Sequence, residues 1–185
     1  MKVQFIAQGI PESIGTPAGD VINNALLTTN YNSFAAFVAF VSVDGINQLK
    51  ESFKQFIDSG GQIRLYVGVD LHGTSKEALE LLLSLDNVKT YIVYSSNRII
   101  YHPKIYSFEG DNNNMVMVGS SNLTLSGLYQ NIEASLCITN EGEDEQDKNF
   151  VLQMKVKMNK IKALLAIYTI IITQYYQTTL LIANL

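Results

Sequence analysis

Cysteine occurs once, at Cys137, so the chain has no disulfide framework, no thiolate metal cluster and nothing that points to an oxidising compartment. A buried structural thiol is its expected role. Histidine is scarce as well. His72 and His102 are far apart, and with one cysteine and scattered carboxylates they offer no metal-ligand spacing, so neither a metal nor another cofactor is expected. A broad basic surface is also missing. With a net charge of −4 and a pI near 5.1, any contact with nucleic acid must be local or supplied by another domain. The N-terminal stretch carries no apolar region long enough for a secretory signal, and a cytoplasmic location is expected. Residues 163–172 are strongly apolar, but Thr173, Gln174, Gln177, Thr178 and Thr179 interrupt the run before Leu180. A membrane span needs about 20 predominantly apolar residues, so a packing or oligomer contact is the expected role of this tail. No internal repeat is evident.

What remains is an ordinary globular composition, 47% hydrophobic and 16% charged over 185 residues, enough to bury the core of one domain. The domain is expected over 1–160, with 161–185 as an apolar appendage. Alternation in 2–6 suggests a strand, and 20–27 is compatible with a helix. The apolar run 34–43 reads as a strand buried on both faces, with Asp44 placed to cap a helix carrying Ile46, Leu49, Phe53, Phe56 and Ile57. Gly60 and Gly61 end that helix. Strand 63–69, a helix capped by Ser75 and strand 88–94 complete a βαβαβ alternation. That order predicts an α/β sandwich with a central mixed, largely parallel sheet covered by helices on both faces. Runs 99–108, 115–118 and 132–138 add strands joined by turns. The acidic stretch 141–147 is expected to open a final helix running through Phe150 and Met158 to Ile161.

Chemistry concentrates between 101 and 136. In a strand, His102 and Lys104 share a face, so an imidazole and an ammonium point into one pocket. Gly119-Ser120-Ser121-Asn122 follows an apolar strand, at the end of a sheet where ligands gather. There a hydroxyl, a carboxamide and backbone N–H groups can hold phosphate oxygens. Glu133 breaks an otherwise apolar run, and a buried carboxylate needs a partner. A hydrogen bond to one nitrogen of His102 is expected, fixing its tautomer and freeing the other nitrogen to attack. His72, in a Gly-flanked loop, reads as a surface histidine.

His102-x-Lys104 followed by Gly119-Ser120-x-Asn122 resembles the signature of the phospholipase D superfamily, and Glu133, thirteen residues past Ser120, resembles the glutamate of its single-motif bacterial nucleases. Segments 43–69 and 122–128 look like phospholipase D-type domains of restriction endonucleases. The family aspartate five residues after the lysine is Glu109 here, and no catalytic role is assigned to it. The resemblance implies a metal-independent phosphodiesterase, a DNA endonuclease in first place, with His102, Lys104, Ser120, Asn122 and Glu133 as its site residues. One histidine attacks phosphorus while a second protonates the leaving oxygen. The motif occurs once, so the resemblance implies a homodimer with a shared site. Restriction would need a separate or missing DNA-reading domain. Two other readings stay open: a catalytically silent interaction module of the same fold, and a phospholipid-cleaving enzyme.

Overall fold

A computed structural model describes residues 1–9, 15–94 and 100–140 and positions 149–150, 152–153, 156–157 and 159–160. The elements run β1 (Lys2–Gln8), α1 (Ala18–Leu26), β2 (Ser33–Val38), α2 (Val43–Asp58), β3 (Gln62–Gly68), α3 (Lys76–Leu83), β4 (Val88–Val93), β5 (Lys104–Glu109), β6 (Asn114–Gly119) and β7 (Glu133–Asn140). A 3₁₀ turn, Asp70–His72, follows β3, and a π-helical turn, Ser126–Gln130, precedes β7. The strands form one sheet in the order β1-β7-β6-β5-β2-β3-β4.

The sheet is mixed, as expected, but less parallel. Only β2–β3 and β3–β4 run parallel, while β1–β7, β7–β6, β6–β5 and β5–β2 are antiparallel. The reason lies in the connections. A parallel pair needs a crossover of a dozen or more residues, whereas 110–113 between β5 and β6 has room only for a hairpin turn. Of the helices expected on both faces, those whose packing is described lie together on one. The crossovers through α2 and α3 step in one direction along the sheet, and right-handed connections of that kind lay both helices on the same side. Among the described residues, α1, α2 and α3 cover one face. Ile22, Ile46, Phe53 and Leu82 from these helices share a core with Phe34, Leu65, Phe108 and Met117 from the strands. Fully burying such a side chain contributes roughly 1.5–3 kcal/mol. Cys137 lies buried on this face, where burial pushes its thiol pKa up, as suits a structural thiol.

The opposite face carries an aromatic ladder. Phe37, Tyr66 and Tyr91 are register partners on β2, β3 and β4, and their rings stack at 4.5 and 4.7 Å. Further along that face, Val3, Phe5, Val118 and Leu136 are exposed.

The run 34–43 is not one strand. β2 stops at Val38, and the α2 cap is Ser42 rather than Asp44: its Oγ accepts the Gly45 N–H at 3.0 Å. Such a cap stabilises a helix by about 1 kcal/mol. Ser75 caps α3 as expected, accepting from the Ala78 N–H. Beyond α2, Gly60 takes φ +93° and the Gly61 N–H returns to the Phe56 carbonyl at 2.8 Å. At the other edge, Gln8 of β1 is buried opposite Glu133 of β7. Its Nε2 donates to the Gly127 carbonyl at 3.0 Å, and its Oε1 accepts from the Ala18 N–H at 2.8 Å.

The described positions between 149 and 160 are helical, in keeping with a final helix. Its acidic start at 141–147 and the tail 161–185 lie outside the described residues. Among those described, no helix is long and apolar enough to cross a membrane, and no group of three or more His, Cys, Asp or Glu side chains is placed to hold a metal.

Candidate active site

The chemistry gathers where β2 ends, β5 begins, β6 ends and β7 begins. His102 lies just before β5 rather than within a strand, because Pro103 has no N–H to give to a ladder. The segment is held in other ways. The Pro103 carbonyl accepts the Ala39 N–H at 2.9 Å, and the Tyr101 N–H donates to Asp70 Oδ2 at 2.9 Å. The Tyr101 ring packs against the aromatic ladder, its hydroxyl 3.4 Å from the Tyr66 carbonyl, and burial pushes its pKa well up. His102 itself is exposed. A fixed backbone therefore carries an accessible imidazole.

Lys104 is the first residue of β5 and is buried to 7% exposure. Its Nζ lies 2.8 Å from Nδ1 and 3.0 Å from Nε2 of His102, and also donates to the His102 carbonyl at 3.2 Å. The shared pocket expected for these two side chains is present. Burial lowers the Lys104 pKa, and the Glu133 carboxylate works against that shift.

Gly119 closes β6 at a place where no larger residue fits, because a Cβ there would strike Ser135 and the Ala134 carbonyl across the β6–β7 ladder. This close approach brings Ser120 onto the start of β7. The Ser120 hydroxyl donates to Glu133 Oε2 and accepts the Ala134 N–H at 3.1 Å, while Asn131 Nδ2 donates to Glu133 Oε1 at 3.1 Å. The expected Glu133–His102 hydrogen bond is therefore corrected. The antiparallel register sets Glu133 beside Ser120, while His102 precedes β5, and only the field of the carboxylate reaches Lys104. From below, the fully buried Tyr106 donates to the Ser121 carbonyl at 2.9 Å, and burial together with the Glu133 charge pushes the phenol pKa well up.

Asn122 Oδ1 accepts the Phe40 N–H at 3.2 Å. The carbonyl end of the carboxamide is thus occupied, and the two donors on Nδ2 are presented instead. The structure brings His102 onto Lys104 and Ser120 onto Glu133, links the pairs through the field of Glu133, and ties Asn122 to the end of β2. Phe40, Tyr101 and Tyr106 escaped sequence reasoning. Each sits in an apolar run whose pattern predicts burial and nothing more. Glu109 lies at the far end of β5, about 17 Å along the strand from Lys104. His72 is an exposed loop residue, as expected.

A seven-stranded mixed sheet with an imidazole, an ammonium, a hydroxyl, a carboxamide and a carboxylate at one end is the arrangement of a phosphodiesterase fold. The chain belongs to the phospholipase D-like family. Residues 34–161 match the family model described as cardiolipin synthase, phospholipase D-like domain. Comparison with curated protein sequences finds no match. Among solved structures, NucT from Helicobacter pylori is similar at 15% identity and a TM-score of 0.60, over 86% of this chain and 94% of that one. A phospholipase D family member, Nuc from Salmonella typhimurium, is similar at 19% identity and a TM-score of 0.53, over 85% and 94%. Phosphatidylserine synthase from Haemophilus influenzae, at 13% identity and a TM-score of 0.58, shares the fold over 86% of this chain and 38% of its own.

Proposed function

We propose that the chain is a metal-independent phosphodiesterase, a DNA endonuclease in first place, that works through a covalent phosphohistidine at His102 in a site shared by two copies. The observation that carries this reading is the buried Lys104 ammonium set against both ring nitrogens of an exposed, backbone-anchored His102. A ring nitrogen attacks phosphorus, the bond from phosphorus to the leaving oxygen breaks, and a second imidazole gives that oxygen its proton. The same imidazole then activates water to cleave the phosphorus–nitrogen bond. Lys104 and the Nδ2 donors of Asn122 neutralise the non-bridging oxygens. DNA is favoured over phospholipid by the single motif and by the resemblance to restriction-type domains. Cleavage at a defined sequence would require a further DNA-reading module.

The test is hydrolysis of DNA, RNA, a bis-aryl phosphodiester and phosphatidylcholine by the purified chain in excess EDTA. The bis-aryl ester is expected to turn over and DNA to be cut. Loss of all activity on chelation, restored by magnesium, would defeat the mechanism, and turnover of phosphatidylcholine alone would move the substrate to lipid.

The second imidazole is assigned to His102 of the partner subunit, since His72 lies on an exposed loop. An isologous dimer sets the same patch opposite itself. Equal mixing of wild-type and His102→Ala subunits should therefore lower activity towards about a quarter, the share of fully wild-type dimers under random reassortment. A fall only to half, with His72→Ala inactive, would assign both imidazoles to a single chain.

A further inference from the structure

Four consecutive backbone N–H groups, 39–42, donate to three different segments around the site. Ala39 gives to the Pro103 carbonyl at 2.9 Å, Phe40 to Asn122 Oδ1 at 3.2 Å, Val41 to Thr74 Oγ1 at 3.1 Å and Ser42 to the Leu123 carbonyl at 3.1 Å. This short connection between β2 and α2 thus ties the His102 segment, the Asn122 turn and the loop after β3 into one frame. The side chain at its centre is Phe40. Its ring stands edge-on to the His102 imidazole, centroids 5.8 Å apart at 78°, and its centroid lies 6.0 Å from Lys104 Nζ.

The other side of the ring is fixed as well. Gly73 has no Cβ where the Phe40 ring lies, and any larger residue would collide with it. The loop carrying Gly73 is itself over-determined. Asp70 Oδ2 accepts the Tyr101 N–H, the Gly73 N–H returns to the Asp70 carbonyl at 3.2 Å, and Thr74 Oγ1 donates to the Gly68 carbonyl at 2.8 Å. Held this way, Leu71 and His72 keep φ at 56° and 54°, the left-handed region that costs a non-glycine residue on the order of 1 kcal/mol or more. A strained loop thus backs the ring of Phe40.

From this arrangement we infer that Phe40 is a positioning residue of the phosphodiesterase site, acting through His102 and Lys104 with its ring and through Asn122 with its backbone. The inference rests on the phosphodiesterase reading above. A ring on one flank of the imidazole limits the orientations open to it, keeps water from that side, and offers the ammonium a π face when His102 turns to attack. The backbone N–H fixes which end of the Asn122 carboxamide is presented, so changing the side chain alone separates the two roles.

Phe40→Leu, of similar bulk without the ring, and Phe40→Tyr, which keeps it, are compared with wild type on the bis-aryl phosphodiester in EDTA, with thermal melting and His102 imidazole ¹⁵N shifts measured across pH. Phe40→Leu should lower kcat by about 10-fold or more at little change in KM, the pattern of a lost transition-state interaction. It should also alter the His102 shifts, and Phe40→Tyr should restore both. Equal activity and equal shifts in the leucine variant would overturn the proposal, as would a loss that Phe40→Tyr fails to rescue. Should the leucine variant not fold, Phe40→Tyr beside Gly73→Ala decides, since displacing an intact ring must then lower kcat while the tyrosine variant stays active. Wild type inactive on every phosphodiester would defeat the parent reading instead. The His102 shifts would then stand alone, and unchanged shifts would overturn the positioning role.

Discussion

His102→Ala is expected to lower turnover of an activated phosphodiester by more than about 10³-fold and to leave thermal melting close to wild type, because a covalent catalyst is lost while little packing is removed. His102 is exposed, and its backbone is held by the Tyr101 N–H to Asp70 and the Ala39 N–H to Pro103 rather than by the imidazole. Truncation therefore opens no cavity, and surface changes of this kind usually move stability by no more than about 0.5 kcal/mol. Residual activity above about a tenth of wild type would name another nucleophile, since loss of a covalent catalyst normally lowers turnover by orders of magnitude. Mass spectrometry of wild type quenched during turnover should find the phosphoryl group on the peptide containing His102.

Lys104→Met should lower kcat/KM by about 10²–10³-fold, the usual effect of removing one preorganised group aimed at developing charge. The pH dependence follows from the environment of Lys104. Burial lowers its pKa and Glu133 only partly opposes this, so the alkaline limb of kcat/KM should fall below the ordinary lysine value of about 10.4. Glu133→Gln should move that limb lower still. Stability runs the other way. Between the lowered folded pKa and the ordinary unfolded one, the unfolded chain binds more protons, so stability rises with pH through that window. At neutral pH the charged Lys104 is therefore a burden on the fold, and Lys104→Met should melt no lower than wild type. A limb at or above the ordinary lysine value, or a methionine variant both active and less stable, would refute this account.

Much of the site was legible because its residues sit in one contiguous stretch. From His102 to Asn140 the chain makes three antiparallel strands, so spacing along the sequence maps onto neighbouring positions at one end of the sheet. Apolar runs located β2, β3 and β4, and Ser75 was read correctly as a cap. The limits are equally specific. Periodicity could not separate β2 from the Ser42 cap, since Ala39, Phe40 and Val41 are as apolar as the strand they follow. Strand identity at His102 failed because Pro103 breaks the ladder locally. The partner of Glu133 depended on register: a long connection with a π-helical turn separates it from Ser120, and no local pattern reports which donor is nearer. Phe40 is legible only in three dimensions, since its contacts lie 62 and 82 residues away.

The pairing of β1 with β7 orders the events by which the site can be completed. β1 must wait for a strand more than a hundred residues downstream, because Lys2 meets Thr139 and Gln8 meets Glu133. Closing so long a loop is entropically slow, and contacts of that separation come late in folding. Until β1 arrives, the Gly127 carbonyl lacks its Gln8 donor and β7 is the outer strand on that side. Ser120 and Glu133 can meet across β6 and β7 beforehand, but the flank holding Glu133 in place belongs to β1. Catalytic competence should therefore be the final property a maturing chain acquires, later than the core that surrounds it.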